Sequence, residues 1–256
     1  MMAQLFAGVR IFGRGLKIYG RNPGLVVLGI IPALITLLLF AFLFGLLLYF
    51  VDDLSATVTW FADDWSTGWR TATRIAAGVG LVGVAMLLWV VSFTAITLLI
   101  GDPFYEKIAE QVEVSLGGVP DEVDRTFWQE LSRGLRDSLR LMLISTLFGI
   151  PLFLAGFIPI VGQTVIPVIG ALVGGWFLAV ELVGVAFSRR GLTFRDRVAK
   201  LRGHRWIAVG FGACVFLCFL IPLGAVFVMP AAVAGGTILA RHVLGAEAPV
   251  PAVPQG

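Results

Sequence analysis

Three places in this chain hold residues whose types and spacing suit chemistry. The first is Gly20-Arg21-Asn22-Pro23-Gly24-Leu25. Asn22 suits a helix cap and Pro23 the first helical position, which leaves the amides of residues 24–26 free to point outward. Such amides beside a guanidinium make an oxyanion site, with Arg21, Asn22, Gly24 and Leu25 as its members. A plain cap joining two helices would use the same residues. The second place is Glu181, the one ionisable residue deep inside the apolar stretch 139–188. Intramembrane acids are costly and point to function. Glu181 also lies close enough to Arg189 to form a structural pair, so pairing and an ion pathway are both open. The third is Asp102-Pro103-Phe104-Tyr105-Glu106, which reads as the restart of a helix. Glu106, Glu110 and Glu113 would form a solvated acidic stripe, and Phe104, Ile108 and Val112 the apolar face.

Enzyme signatures do not accompany these residues. The chain has no nucleophile elbow, His-Glu-x-x-His, phosphate-binding glycine loop or Cys-x-x-Cys. His204 and His242 have no partner at catalytic spacing, and Cys214 and Cys218 share a helix face as small packing residues. No catalytic residue, metal, cofactor or nucleic-acid partner is expected.

The elements that must hold these residues are membrane helices. Of 256 residues 58% are hydrophobic and 14% charged, with mean hydropathy +0.95. A soluble domain carries about 25% charged residues, so the apolar excess must face lipid. Residues 24–50 and 75–100 are each long enough for one crossing of ~30 Å. The stretches 139–188 and 206–240 each break near the middle, at Pro159-Ile160-Val161-Gly162 and at Ile221-Pro222-Leu223-Gly224, and read as helical hairpins. The arms of the second are only about 24 Å long at 1.5 Å per residue. Length leaves open whether the hairpins span the bilayer or re-enter it. Re-entrant tips would need burial in protein or a watery cavity.

Charge placement orients these elements. Every Lys and Arg except Arg70 and Arg74 falls before the first span, in the cytoplasmic helices 101–138, at Arg140 just beyond them, in the loop 189–205, or after the last hairpin. The positive-inside rule then places both termini and that loop in the cytoplasm. Residues 1–22 read as an amphipathic surface helix, with Leu5, Val9, Phe12, Leu16 and Tyr19 on one face and Arg10, Arg14, Lys17 and Arg21 on the other. No signal-peptide core precedes Arg10. Arg189, Arg190, Arg195 and Arg197 are expected to contact anionic lipid headgroups. Residues 1–245 form a single integral membrane domain, and 246–256 a Pro-rich disordered tail.

The order of motifs resembles the CysZ-type sulfate permeases, whose wider membership includes etoposide-induced membrane proteins. The resembling segments are Pro23-Gly24-Leu25, Ile31-Pro32-Ala33-Leu34-Ile35, Asp102-Pro103-Phe104 through Glu113, Ile158-Pro159-Ile160-Val161-Gly162, Arg189-Arg190-Gly191-Leu192-Thr193-Phe194, Gly210-Phe211-Gly212 leading to Ile221-Pro222, and Met229-Pro230 through Thr237. The resemblance implies an all-α polytopic protein of the inner membrane with two long transmembrane helices, two partly penetrating hairpins and a homo-oligomeric assembly. It also implies uptake of sulfate or a similar oxyanion feeding cysteine synthesis. In that family the anion site follows a Gly-Leu-Arg pattern. Gly24 and Leu25 match it, whereas Val26 stands at the arginine position, where Arg21 or Lys17 would have to supply the charge. The alternative reading is a non-transporting scaffold that binds anionic lipid or a partner through the basic loop.

Overall fold

Asn22 separates the first two helices because its backbone is extended (φ −107°, ψ 102°) and Pro23, with no N–H to give to the preceding turn, starts the next one. The structure is a computed structural model describing residues 1–119, 127–221 and 223–245. Its described helices are α1 (Met2–Arg21), α2 (Pro23–Val58), α3 (Thr67–Ser115), α4 (Phe127–Ala155), α5 (Val161–Leu182), α6 (Gly184–Arg189), α7 (Phe194–Gly203), α8 (Arg205–Phe219) and α9 (Gly224–Val243), with a 3-10 turn at Trp60–Ala62. Among the described residues α2, α3, α9 and segments of α4 and α5–α6 are long and apolar enough to cross a membrane, whereas α8 is shorter. Pro222 and the tail 246–256 lie outside the described residues.

Two boundaries differ from expectation. α2 runs to Val58, beyond Asp52 and Asp53, and α3 continues through Asp102-Pro103 to Ser115. The restart at Asp102 is therefore absent. Within a helix, proline removes a single backbone donor, and the chain on both sides of Pro103 stays helical.

The chain divides into two compact units, Ile30–Asp102 and Met1–Gly29 with Pro103–Gly256. In the first, the Phe40 and Phe44 rings stack on Trp89 at 6.2 and 6.1 Å, and Phe93 meets Phe40 edge-on at 5.8 Å. Buried Thr36 donates its hydroxyl to the Pro32 carbonyl at 2.9 Å. At the far end Arg74 pairs with Asp63 at 2.8 Å, among the exposed rings of Trp60, Phe61, Trp65 and Trp69. This aromatic composition suits a membrane–water boundary.

Small residues build the second unit. Gly210 and Gly212 lie on opposite sides of α8. A Cβ on Gly210 would stand 2.8 Å from the Leu5 Cα of α1, and one on Gly212 2.7 Å from the Gly175 carbonyl carbon of α5. Gly8 and Gly175 answer them from the neighbouring helices. The Gly210-Phe211-Gly212 triplet thus lets α8 pack backbone to backbone on two sides, while Phe211 is fully buried and meets Phe12 edge-on at 6.4 Å. α9 is buried along nearly its whole length through Ala231-Ala232-Val233-Ala234-Gly235-Gly236-Thr237, and Gly235 lies against Gly15 of α1. Contact with α8 and α9 also sets which face of α1 is buried. Gly8, Ile11, Phe12 and Gly15 turn inward, whereas Val9 and Leu16 are exposed. Of the apolar stripe expected there only Phe12 is fully buried, because close helix approach selects glycine over larger side chains.

Both hairpin turns place an apolar residue at positive φ, Ile160 at 68° and Leu223 at 62°. Ile160 (ψ −57°) centres a γ-turn closed by Val161 N–H donating to the Pro159 carbonyl at 2.8 Å. This hand of γ-turn is strained, most of all for a β-branched residue. Ile160→Gly is expected to release about 1–3 kcal/mol of strain against roughly 1 kcal/mol of added unfolded-state entropy. Its thermal midpoint in detergent should equal or exceed the parent's, and a clear fall would show that the turn is unstrained.

Candidate functional site

The turn expected to offer free amides has already used them. Gly24 N–H donates to Asn22 Oδ1 at 3.1 Å, and the Leu25 and Val26 amides donate to the Asn22 carbonyl at 3.0 and 3.1 Å. The three donors that sequence reasoning left unpaired are thus satisfied by one residue. Leu25 is a core residue, 1% exposed, and only its backbone belongs to the turn. Arg21, Asn22 and Gly24 remain exposed, at the end of an exposed basic face formed by Arg10, Arg14 and Lys17. Tyr19 reaches across the turn, with its hydroxyl 3.4 Å from the Val26 carbonyl. Burial pushes that phenol above its ordinary range.

A second polar centre was not anticipated. Glu113 is fully buried between two arginines, contrary to its expected place on a solvated stripe. Arg190 donates through Nη1 to Oε1 at 2.6 Å and through Nη2 to Oε2 at 3.1 Å, and Arg241 Nη1 donates to Oε2 at 2.8 Å. Arg241 also reaches the Leu116 and Gly118 carbonyls at 2.6 and 2.8 Å, satisfying acceptors at the frayed end of α3, and Arg190 bonds the Ala186 carbonyl at 2.8 Å. Positive φ at Gly117 and Gly118 turns the chain there. This cluster fastens α3, α6 and α9 together, with its hydrogen bonds spent internally. The signal for it was present in the sequence. Tyr105, Ile108, Ala109, Val112 and Glu113 follow the i, i+3, i+4, i+7, i+8 spacing of one buried face, while Glu106 is exposed and Glu110 half-buried.

The loop arginines divide in the same way. Arg195 is exposed. Arg189 is half-buried, and Arg190 turns to Glu113 instead of outward. Arg197, expected at the lipid headgroups, is buried and donates to Asp137 Oδ2 at 3.0 Å and the Val180 carbonyl at 3.3 Å. It belongs to the inward stripe Phe194, Arg197 and Leu201 of α7. Desolvation pulls its guanidinium below the ordinary value, opposed by the charges of Asp137 and Glu181. Glu181 itself lies exposed at the last turn of α5, where its charge acts on Arg197. A capping box starts α7, with Thr193 N–H and hydroxyl donating to Asp196 Oδ2 at 2.9 and 2.7 Å. These bonds hold the exposed Asp196 carboxyl below its usual range. The cap is thus fully charged above the ordinary carboxylate range and weakens only as pH falls through the depressed value. Among the described residues no three His, Cys, Asp or Glu side chains are grouped to hold a metal.

Comparison with known proteins covers most of this chain. Residues 11–230 match the family described as Sulfate transporter CysZ/Etoposide-induced protein 2.4. Proteins named Sulfate transporter CysZ are similar over nearly their full length. The one from Pseudomonas fluorescens (strain Pf0-1) is 30% identical over 251 residues, covering 96% of this chain and 98% of the relative. That from Pseudomonas aeruginosa (strain LESB58) is 29% identical over 240 residues, covering 91% and 93%. That from Pseudomonas syringae pv. tomato (strain ATCC BAA-871 / DC3000) is 27% identical over 254 residues, covering 97% of each chain.

Proposed function

The chain belongs to the Sulfate transporter CysZ/Etoposide-induced protein 2.4 family, and from that premise we propose that it carries sulfate or a closely related small oxyanion across the inner membrane. The observation carrying this reading is the hydrogen bond from Gly24 N–H to Asn22 Oδ1. The carboxamide oxygen stands where an anion oxygen would bind, on an exposed turn beside Arg21, and swings aside when the anion arrives. Arg21 supplies the charge that Val26 lacks, and the basic face of α1 raises the local anion concentration.

The path runs inward from re-entrant hairpins. The stretch from Leu141 to Val180 contains no charged residue, and its turn exposes Phe157 and Ile160. Counted from Gly134, α4 is long enough to cross, but that stretch includes Arg136, Asp137 and Arg140. Its uncharged part, residues 141–155, is only about 22 Å at 1.5 Å per residue, short of a ~30 Å crossing. A turn at that depth must be covered by protein or face water, and a second copy of the chain would cover it, in keeping with a homo-oligomer. Both termini face the cytoplasm, where the basic residues gather.

Uptake of radiolabelled sulfate by proteoliposomes tests the reading. Flux above empty vesicles is expected, and flux equal to theirs with folded protein would sink it. Asn22→Asp tests the site itself. Aspartate caps a helix as well as asparagine does, so the fold is kept. A fixed carboxylate at the anion position repels a bound anion by about 4 kcal/mol per pair of unit charges at 4 Å near a surface. Uptake should fall more than about tenfold with an unchanged thermal midpoint. Undiminished uptake would place the site elsewhere while leaving transport intact.

A further inference from the structure

A groove of about 710 Å³ opens between α4, α5, α7 and α8, within the ~300–1,000 Å³ range of small-molecule sites. Its two ends differ in chemistry. Phe148 of α4 with Leu172, Trp176 and Phe177 of α5 line one end, on segments apolar enough to lie in the membrane. Arg140, Arg195, Arg202 and Arg205 line the other, and among the described residues no carboxylate lines either. Among the described residues none of these four arginines has a carboxylate partner. This sets them apart from Arg190 and Arg197, whose charges are spent internally. Two of the four are steadied by rings, Arg140 over Phe194 at 5.0 Å and Arg205 over Trp206 at 5.5 Å.

We propose that this groove is a binding site for an anionic glycerophospholipid of the cytoplasmic leaflet, with its phosphodiester head among Arg140, Arg202 and Arg205 and an acyl chain along Phe148, Trp176 and Phe177. Guanidinium forks match phosphate oxygens in pairs, and four unmatched positive charges above an apolar trough select a ligand with an anionic head and a hydrocarbon tail. A zwitterionic lipid fits the trough but places its own cation among the arginines. The site is independent of the transport assignment. It would fix α7 and α8, the elements behind the Gly210–Gly212 crossing, to the membrane surface.

Native mass spectrometry of the purified full chain tests this, after exchange into mixed micelles carrying phosphatidylglycerol, phosphatidylcholine of the same acyl chains, or oleate. Phosphatidylglycerol should be retained as one tightly held molecule per chain, well above phosphatidylcholine. Arg202→Gln/Arg205→Gln removes two exposed charges outside the packed core. It should lower phosphatidylglycerol retention about thirtyfold and leave phosphatidylcholine unchanged. Arg195→Gln and Arg140→Gln, made singly, should each give a smaller loss, so the test does not depend on one double variant folding. Equal retention of the two phospholipids would overturn the proposal, as would preferential retention of oleate. So would a folded double variant that still prefers phosphatidylglycerol, or a groove closed by a second copy of the chain that holds no lipid.

Discussion

Glu113→Gln is expected to unfold this protein more readily than any other single change at an ionisable residue. The substitution keeps the size and one acceptor oxygen but leaves Arg190 and Arg241 facing each other without the carboxylate that now accepts from both at 2.6–3.1 Å. Breaking a buried ion pair by removing one partner costs about 3–5 kcal/mol, because the remaining charge stays desolvated. For a chain of this size that corresponds to a fall of roughly 10 °C in the thermal midpoint. Arg241 would also lose the geometry that satisfies the Leu116 and Gly118 carbonyls. A melting series on detergent-purified protein checks the effect. The triple variant Glu113→Gln/Arg190→Met/Arg241→Met should recover part of the loss, since a neutral cluster carries no stranded charge. A midpoint for Glu113→Gln within about 2 °C of the parent would show that the triad is solvated.

Gly212→Ala should come next in effect. One added methyl group would land 2.7 Å from the Gly175 carbonyl carbon and 3.1 Å from Ala179 Cβ, so α8 must move off α5 along its length. Backbone atoms cannot rotate away as a side chain can. Overpacking of this kind costs typically 1–3 kcal/mol, and the upper end applies where α8 is held on its other side through Gly210 against Leu5. Gly13→Ala supplies the contrast. Gly13 is an exposed position of α1 with nothing within 4 Å of the new Cβ, so alanine there gains up to about 1 kcal/mol of helix propensity. The two variants should shift the thermal midpoint in opposite directions, and a shared direction would refute the close-packing account.

Much of the helical layout was legible in the residues. Apolar length marked out α2 and α3, and the proline and glycine around residues 159–162 and 221–224 marked both hairpin turns. The limits of α8 and α9 fall within a few residues of the expected arms. Partner choice was less legible. Glu113 was assigned to solvent by residue type, although its register with Tyr105, Ile108 and Val112 put it on the buried face. A buried acid is identified only by its partners, and Arg190 and Arg241 lie far away in sequence. Arg197 was placed at the headgroups because it belongs to a run of basic residues, and a run of like charges does not reveal which member turns toward Asp137. At residues 22–26 the capping signals were read correctly but the free donors were overcounted, because Asn22 serves the turn with both its side chain and its backbone carbonyl.

The burial of α9 has a consequence for how the protein is made. This helix is made after α1 and α8, yet its small residues fill the space beside them, and its Arg241 completes the coordination of Glu113. During synthesis the earlier helices must therefore wait at the membrane with a slot open between them and Glu113 held by Arg190 alone. A chain that ends before residue 241 can insert its long helices, but it lacks both the filler and the final fastening. Truncated products should accordingly be the forms that membrane proteases clear first.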